Sequence, residues 1–207
     1  MKLSSLTLVD GASLPVIHAL GVAAAGGPVP GANRSPQLSW SDFPAGTRSF
    51  AIICVDPDVP SRGDDVNQSD RTVPYDLPRV DFFHWLLVDI PASVHALAEA
   101  ADADGLVPRG KPAGATALGV RGINDYTGWF AGDAAMAGNY GGYDGAWPPF
   151  NDERVHRYQF TVLALDVATL ALPLNFTGAE ARQAMAGHVL DQSTLTVTYS
   201  LFPDARM

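Results

Sequence analysis

A run near the middle of the chain, Phe82-Phe83-His84-Trp85-Leu86-Leu87-Val88, is bulky on both of its alternating sets of positions. Strand side chains repeat every two residues, so Phe82, His84, Leu86 and Val88 are expected on one face and Phe83, Trp85 and Leu87 on the other. Only an interior strand covered by protein on both sides can carry that load. A second apolar run, Phe50-Ala51-Ile52-Ile53-Cys54-Val55, precedes it and breaks into Asp56-Pro57-Asp58-Val59-Pro60-Ser61-Arg62. Two core strands therefore flank a charged loop, a layout in which a buried scaffold delivers polar groups to a site.

The rest of the chain supports a mainly β fold. With 20 Gly and 16 Pro among 207 residues, turns and short elements outnumber long helices. A composition of 47% hydrophobic and 17% charged residues is that of a globular chain, and the length suits one well-buried domain over residues 1–207. Leu3 to Val9 reads as a first strand, Ser35 to Trp40 as an edge strand, Arg154 to Asp166 as a strand, and Ser193 to Leu201 as a closing strand. Thr177-Gly178-Ala179-Glu180 is a capping box that opens a short helix running to about Leu190. Gly63 to Pro78 lacks periodicity and is expected to be a long surface loop of the kind that lies beside a site.

Charge and cysteine usage exclude several functions. The formal net charge is -9, from 13 basic and 22 acidic side chains, so the overall field repels nucleic acid and anionic membrane surfaces. An anion would need a local cluster of donors in a pocket. Cys54 is the only cysteine, which rules out an internal disulfide and a cysteine metal cage. No apolar stretch approaches membrane-spanning length and Met1 to Ser5 has no sustained apolar run behind it, so a cytoplasmic protein without an integral membrane segment is expected.

Polar groups then gather at three strand ends: Asp56 and Asp58, His84, and His156 with Tyr158. His156 and Tyr158 share a strand face because they are two residues apart. An imidazole in a doubly buried strand costs free energy unless it finds a partner. His18, His95 and His188 read as packing, solvated or helix-terminal residues, and Trp40, Trp85 and Trp129 as core or turn anchors.

Asp56-Pro57-Asp58-Val59-Pro60-Ser61-Arg62, Phe83-His84-Trp85-Leu86, Gly142-Tyr143-Asp144-Gly145 with Pro148-Pro149, and His156-Arg157-Tyr158-Gln159-Phe160 occur in this order. In that order they resemble the phosphatidylethanolamine-binding protein family, also called Raf kinase inhibitor-like, and its bacterial branch in particular. The resemblance, from about Leu6 to Tyr199, implies a large central antiparallel sheet packed on a smaller sheet with a few short helices. It also implies a small pocket for phosphate or a phosphorylated head group, walled by Asp56, His84, His156 and Tyr158, supported by Asp58 and Pro148, with Tyr143 at the rim. Neither a catalytic residue, a cofactor nor a metal is implied. Relatives add two expectations about partners, a homodimer and, as an alternative role, inhibition of a kinase or protease through the pocket rim. The loop from Gly63 to Asp81 is longer than the family pattern, and Trp147 stands where a smaller residue is usual, so Trp147 is expected to narrow the pocket.

Enzyme readings are weaker. Two histidines and a carboxylate could form a metal site, but no close helical His pair occurs. Ser61 or Ser35 as a nucleophile lacks a Gly-x-Ser-x-Gly elbow.

Overall fold

The computed structural model describes residues 1–207. Its strands are β1 (Lys2–Ser4), β2 (Gly21–Val22), β3 (Val29–Pro30), β4 (Leu38–Ser41), β5 (Ser49–Pro60), β6 (Arg79–Pro91), β7 (Ala96–Leu97), β8 (Gly114–Ala115), β9 (Val120–Arg121), β10 (His156–Leu165) and β11 (Val189–Tyr199). Two short α-helices, α1 (Tyr126–Trp129) and α2 (Gly178–Met185), complete it. A six-stranded sheet runs β11-β10-β5-β6-β9-β8, a three-stranded sheet runs β1-β4-β7, and β2 pairs with β3. Every ladder is antiparallel. The fold is the expected mainly β one, a large antiparallel sheet against a smaller one.

Both faces of the central strands are buried, for the reason the apolar runs suggest. Phe50, Ile52 and Cys54 of β5 join Phe160, Val162 and Ala164 of β10 and, from the small sheet, Leu38 and Trp40 in one core. Ala51, Ile53 and Val55 turn the other way and meet Leu163, Leu165 and the apolar side of α2, Ala181 and Met185. β10 keeps the expected alternation, with His156, Tyr158, Phe160, Val162 and Ala164 buried along one face.

β6 departs from simple alternation, and the departure matters. Cys54 lies opposite Trp85 while Val55 lies opposite Phe83, so His84 is an extra residue in the ladder, a β-bulge. The bulge reverses the register of faces. Trp85 and Leu87 enter the core between the sheets, whereas Phe83, Leu86 and Val88 face α2. The expected grouping of His84 with Leu86 and Val88 is therefore corrected, because a strict period of two cannot survive an inserted residue. A second shift falls between Asp56 and Val59 on β5. Both irregularities flank one end of the sheet.

Other boundaries also move. The first strand ends at Ser4 because the Ser5 hydroxyl accepts the Thr7 and Leu8 amides and curls the chain. α2 carries the expected capping box, Thr177 accepting from the Glu180 amide and Glu180 from the Thr177 amide. It stops at Met185 instead of Leu190, since Gly187 takes a left-handed φ of 83° and β11 begins at Val189. The long loop after β5 is clamped by one side chain. Asn151 Nδ2 donates to the carbonyls of Asp65, Gln68 and Arg71, and its Oδ1 accepts the Asn67 amide. No helix is long and apolar enough to cross a membrane.

Candidate functional site

Because β10, β5 and β6 are neighbours, the residues Asp56, His84, His156 and Tyr158 arrive at the same end of the large sheet and line one cavity of about 250 Å³. All four side chains are nearly inaccessible and form its floor. Phe82, Tyr126, Trp147, Pro148 and Pro149 make the walls, while Trp129, Arg62 and the start of the clamped loop lie at the open end.

The two histidines are held differently. His84 Nδ1 donates to the Asp144 carbonyl at 2.9 Å, which fixes the neutral ring with its lone pair on Nε2. That nitrogen is buried without a hydrogen-bond partner, and so is the Tyr158 hydroxyl. The two rings are 5.1 Å apart, edge to face. Burial pushes the His84 pKa below its ordinary value even with Asp56 pulling the other way. Burial and the Asp56 charge push Tyr158 well up, so its hydroxyl stays a donor. Asp144, which orients His84, is itself fixed by Lys111 at 2.9 Å, Asn124 at 2.9 Å and Asn33 at 2.8 Å.

His156, by contrast, has no free ring nitrogen. Nδ1 pairs with Asp56 at 2.6 Å and Nε2 with Asp152 at 3.0 Å. Burial would lower its pKa, but the Asp56 charge and the bonds to both carboxylates outweigh burial and raise it to about 9. Asp152 also takes both arms of Arg79, at 2.6 and 3.0 Å. Despite burial, the bonds from His156 and Arg79 hold its carboxyl below the usual range. Asp56, His156, Asp152 and Arg79 thus form a buried chain of two anions and two cations, with no net charge.

Of the remaining expected residues, Pro148 lines the wall. Asp58 sits behind the floor: it binds Arg157 through two bonds of 2.8 and 2.9 Å, and its amide donates to Asp56 Oδ1 at 2.8 Å. Tyr143 is not at the rim. Its ring is buried against Trp85 in the core between the sheets and its hydroxyl donates to the His18 carbonyl at 2.6 Å, because the turn at Gly142, with φ 74°, points it inward. Trp147 forms a wall, its ring lying so close over Gly21 that a Cβ there would meet it at 2.2 Å. Sequence reasoning missed Asp152, whose position four residues before His156 was a faint signal. It also took Trp129 for an anchor, although 53% of it is exposed at the cavity mouth.

A large antiparallel sheet packed on a smaller one, with a small and mostly apolar cavity over a polar floor at one end of the large sheet, defines the architecture. Residues 4–200 match the family model described as phosphatidylethanolamine-binding protein, and the chain belongs to that family. It is 31% identical over 202 residues to the UPF0098 protein YbhB of Escherichia coli K12, covering 97% of this chain and 100% of that one. The crystal structure of E. coli YbcL, described as a new member of the mammalian PEBP family, superposes with a TM-score of 0.68 at 28% identity, covering 96% and 97% of the two chains. A structure from Chlamydia trachomatis gives a TM-score of 0.62 at 26% identity, covering 96% and 95%.

Proposed function

We propose that this chain, as a single domain spanning residues 1–207, binds a phosphate-bearing small molecule without catalysing its conversion. The observation that carries the reading is the pair of buried polar atoms, His84 Nε2 and Tyr158 Oη, that have no partner and belong to side chains lining one cavity. An unsatisfied buried polar group costs about 1–3 kcal/mol, a cost that a ligand oxygen would relieve at both atoms. The local charge agrees. The chain of Asp56, His156, Asp152 and Arg79 cancels, so the buried floor carries no net charge that would repel an anion, and Arg62 lies at the mouth, where it pairs with Asp64. In a protein of net charge -9, this is a spot where the overall sign does not oppose an anion. The cavity is smaller than the roughly 300–1,000 Å³ of drug-sized sites, so a phosphate with a short substituent fits better than a whole phospholipid.

A phosphate monoester offers only acceptors once fully ionised, and neutral His84 offers only a lone pair. The complex must hold one extra proton between the ester oxygen and Nε2, so affinity rises as pH falls. Hydrogen bonds to charged groups contribute about 1.5–3 kcal/mol, which sets the expected scale. Calorimetry with ethyl phosphate is expected to show binding roughly tenfold tighter at pH 6 than at pH 8, and loss of that binding in His84→Ala. Equal affinity at the two pH values, or an undiminished signal in His84→Ala, contradicts the proposal.

A further inference from the structure

Which nitrogen of His84 carries the proton is decided by one peptide of a neighbouring turn. Bound through Nδ1 to the Asp144 carbonyl, the neutral ring is the Nδ1–H tautomer and Nε2 is bare. That carbonyl belongs to the peptide joining Asp144 to Gly145, and a trans peptide is planar, so its oxygen and its N–H point opposite ways. If this peptide turned over, Nδ1 would face an N–H and the ring would carry its proton on Nε2. The direction of the peptide therefore sets what the ring offers a ligand.

Asn33 holds the far side of that peptide. Its Oδ1 accepts the Gly145 amide at 2.8 Å, while its Nδ2 donates to Asp144 Oδ1 at 2.8 Å and to the Gly105 carbonyl at 3.1 Å. The side-chain amide is thus fixed at both ends. Asn33 lies in the loop between β3 and β4, is fully buried and does not line the cavity. Its φ of 49° falls in the left-handed region, which asparagine enters more readily than most residues with a side chain. Other bonds hold the backbone on either side: the Asp144 amide donates to the His84 carbonyl at 2.9 Å, Lys111 Nζ to the Tyr143 carbonyl at 2.8 Å, and the Tyr126 hydroxyl to the Gly145 carbonyl at 2.8 Å. The bond from Gly145 to Asn33 is the one that holds the N–H of the deciding peptide itself.

Resting on the anion reading above, we infer that Asn33 is a positioning residue for the site: by holding the Asp144–Gly145 peptide it keeps His84 as the Nδ1–H tautomer and so makes ligand binding take up a proton. With the other tautomer, Nε2–H would donate to a fully ionised phosphate and no proton would be needed. The groups that face the ring are Asp56 on β5, Tyr158 on β10, Tyr126 on α1 and Asp144 on the turn. Replacing Asn33 removes none of them, and the Asp144 carboxylate keeps its bonds to Lys111 and Asn124.

The test begins without ligand, with NMR of the ring nitrogens at about pH 8, where His84 is neutral. The native ring should be Nδ1–H. Asn33→Gly, which suits the same φ and removes the side chain, should show a mixture with the Nε2–H tautomer, while unchanged His156 signals report that the floor is intact. Calorimetry with ethyl phosphate then reads the consequence: the roughly tenfold tightening from pH 8 to pH 6 should shrink to about threefold or less in Asn33→Gly. A merely loosened fold would weaken binding at both pH values alike and leave that ratio in place. Asn33→Asp keeps an oxygen opposite the Gly145 amide and should retain the native tautomer, which decides the matter if the glycine variant does not fold. A native ring protonated on Nε2, an Asn33→Gly ring that stays wholly Nδ1–H, an Asn33→Asp ring that loses that tautomer, or a pH ratio that survives the change of tautomer overturns the inference and leaves the anion site standing. Ethyl phosphate that does not bind the native protein overturns the anion reading and the proton uptake with it.

Discussion

His84 and His156 sit in one cavity floor, equally buried, and end with opposite chemistry. Burial lowers the pKa of any imidazole, so the difference lies in what each ring meets. His84, on the bulge of β6, meets a carbonyl on one nitrogen and nothing on the other. His156, on regular β10, meets a carboxylate on each. One ring is left neutral with a free atom; the other is an imidazolium through neutral pH and braces the floor. The expected pocket counts both rings as equal walls, whereas only His84 keeps a ring nitrogen without a partner.

The bracing side of this contrast predicts the largest effect. Asp152→Ala leaves buried Arg79 and His156 without their shared carboxylate, and breaking a buried charge pair from one side costs about 3–5 kcal/mol. Urea denaturation measures it, and a loss below about 1 kcal/mol would mean that the charge chain is weakly coupled.

The next effect is a pH dependence with two signs. His156 is raised from 6.5 to about 9 on folding, so its stabilisation is complete below pH 6.5 and disappears as pH rises through 9. The shift corresponds to roughly 3 kcal/mol. The His84 pKa is lowered, so the unfolded chain binds protons first and stability falls as pH drops below 6.5. Denaturant midpoints across this range should therefore decline toward both alkaline and acid pH. Stability that rises from neutral pH to pH 9 would break the assignment of His156.

The smallest effect belongs to the floor that awaits a partner. Tyr158→Phe removes a hydroxyl that has none, so stability should change by no more than about 0.5 kcal/mol, or improve. Ethyl phosphate affinity should nevertheless fall severalfold. A large loss of stability would show that the hydroxyl is already satisfied in the free protein.

How far the sequence foretells these things depends on periodicity. β10 alternates without interruption, so His156 and Tyr158 could be placed on one face by counting. β5 and β6 could be recognised as central strands because both faces are apolar. The bulge at His84 leaves no mark in the sequence: an inserted residue in a ladder is decided by its partner strand, and Phe83-His84-Trp85 looks the same either way. Asp152 lies in a segment without periodicity, and only the fold shows that Arg79, 73 residues away, meets it. Tyr143 was misplaced because a turn rich in glycine says that the chain bends but not which way its aromatics point.

The most direct test follows both imidazole rings by NMR across pH, with and without saturating ethyl phosphate. The ligand should raise the His84 pKa by about one unit or more, while His156 stays charged through neutral pH in both states. A ligand that binds and shifts His156 while His84 does not move would contradict the division of labour between the two histidines.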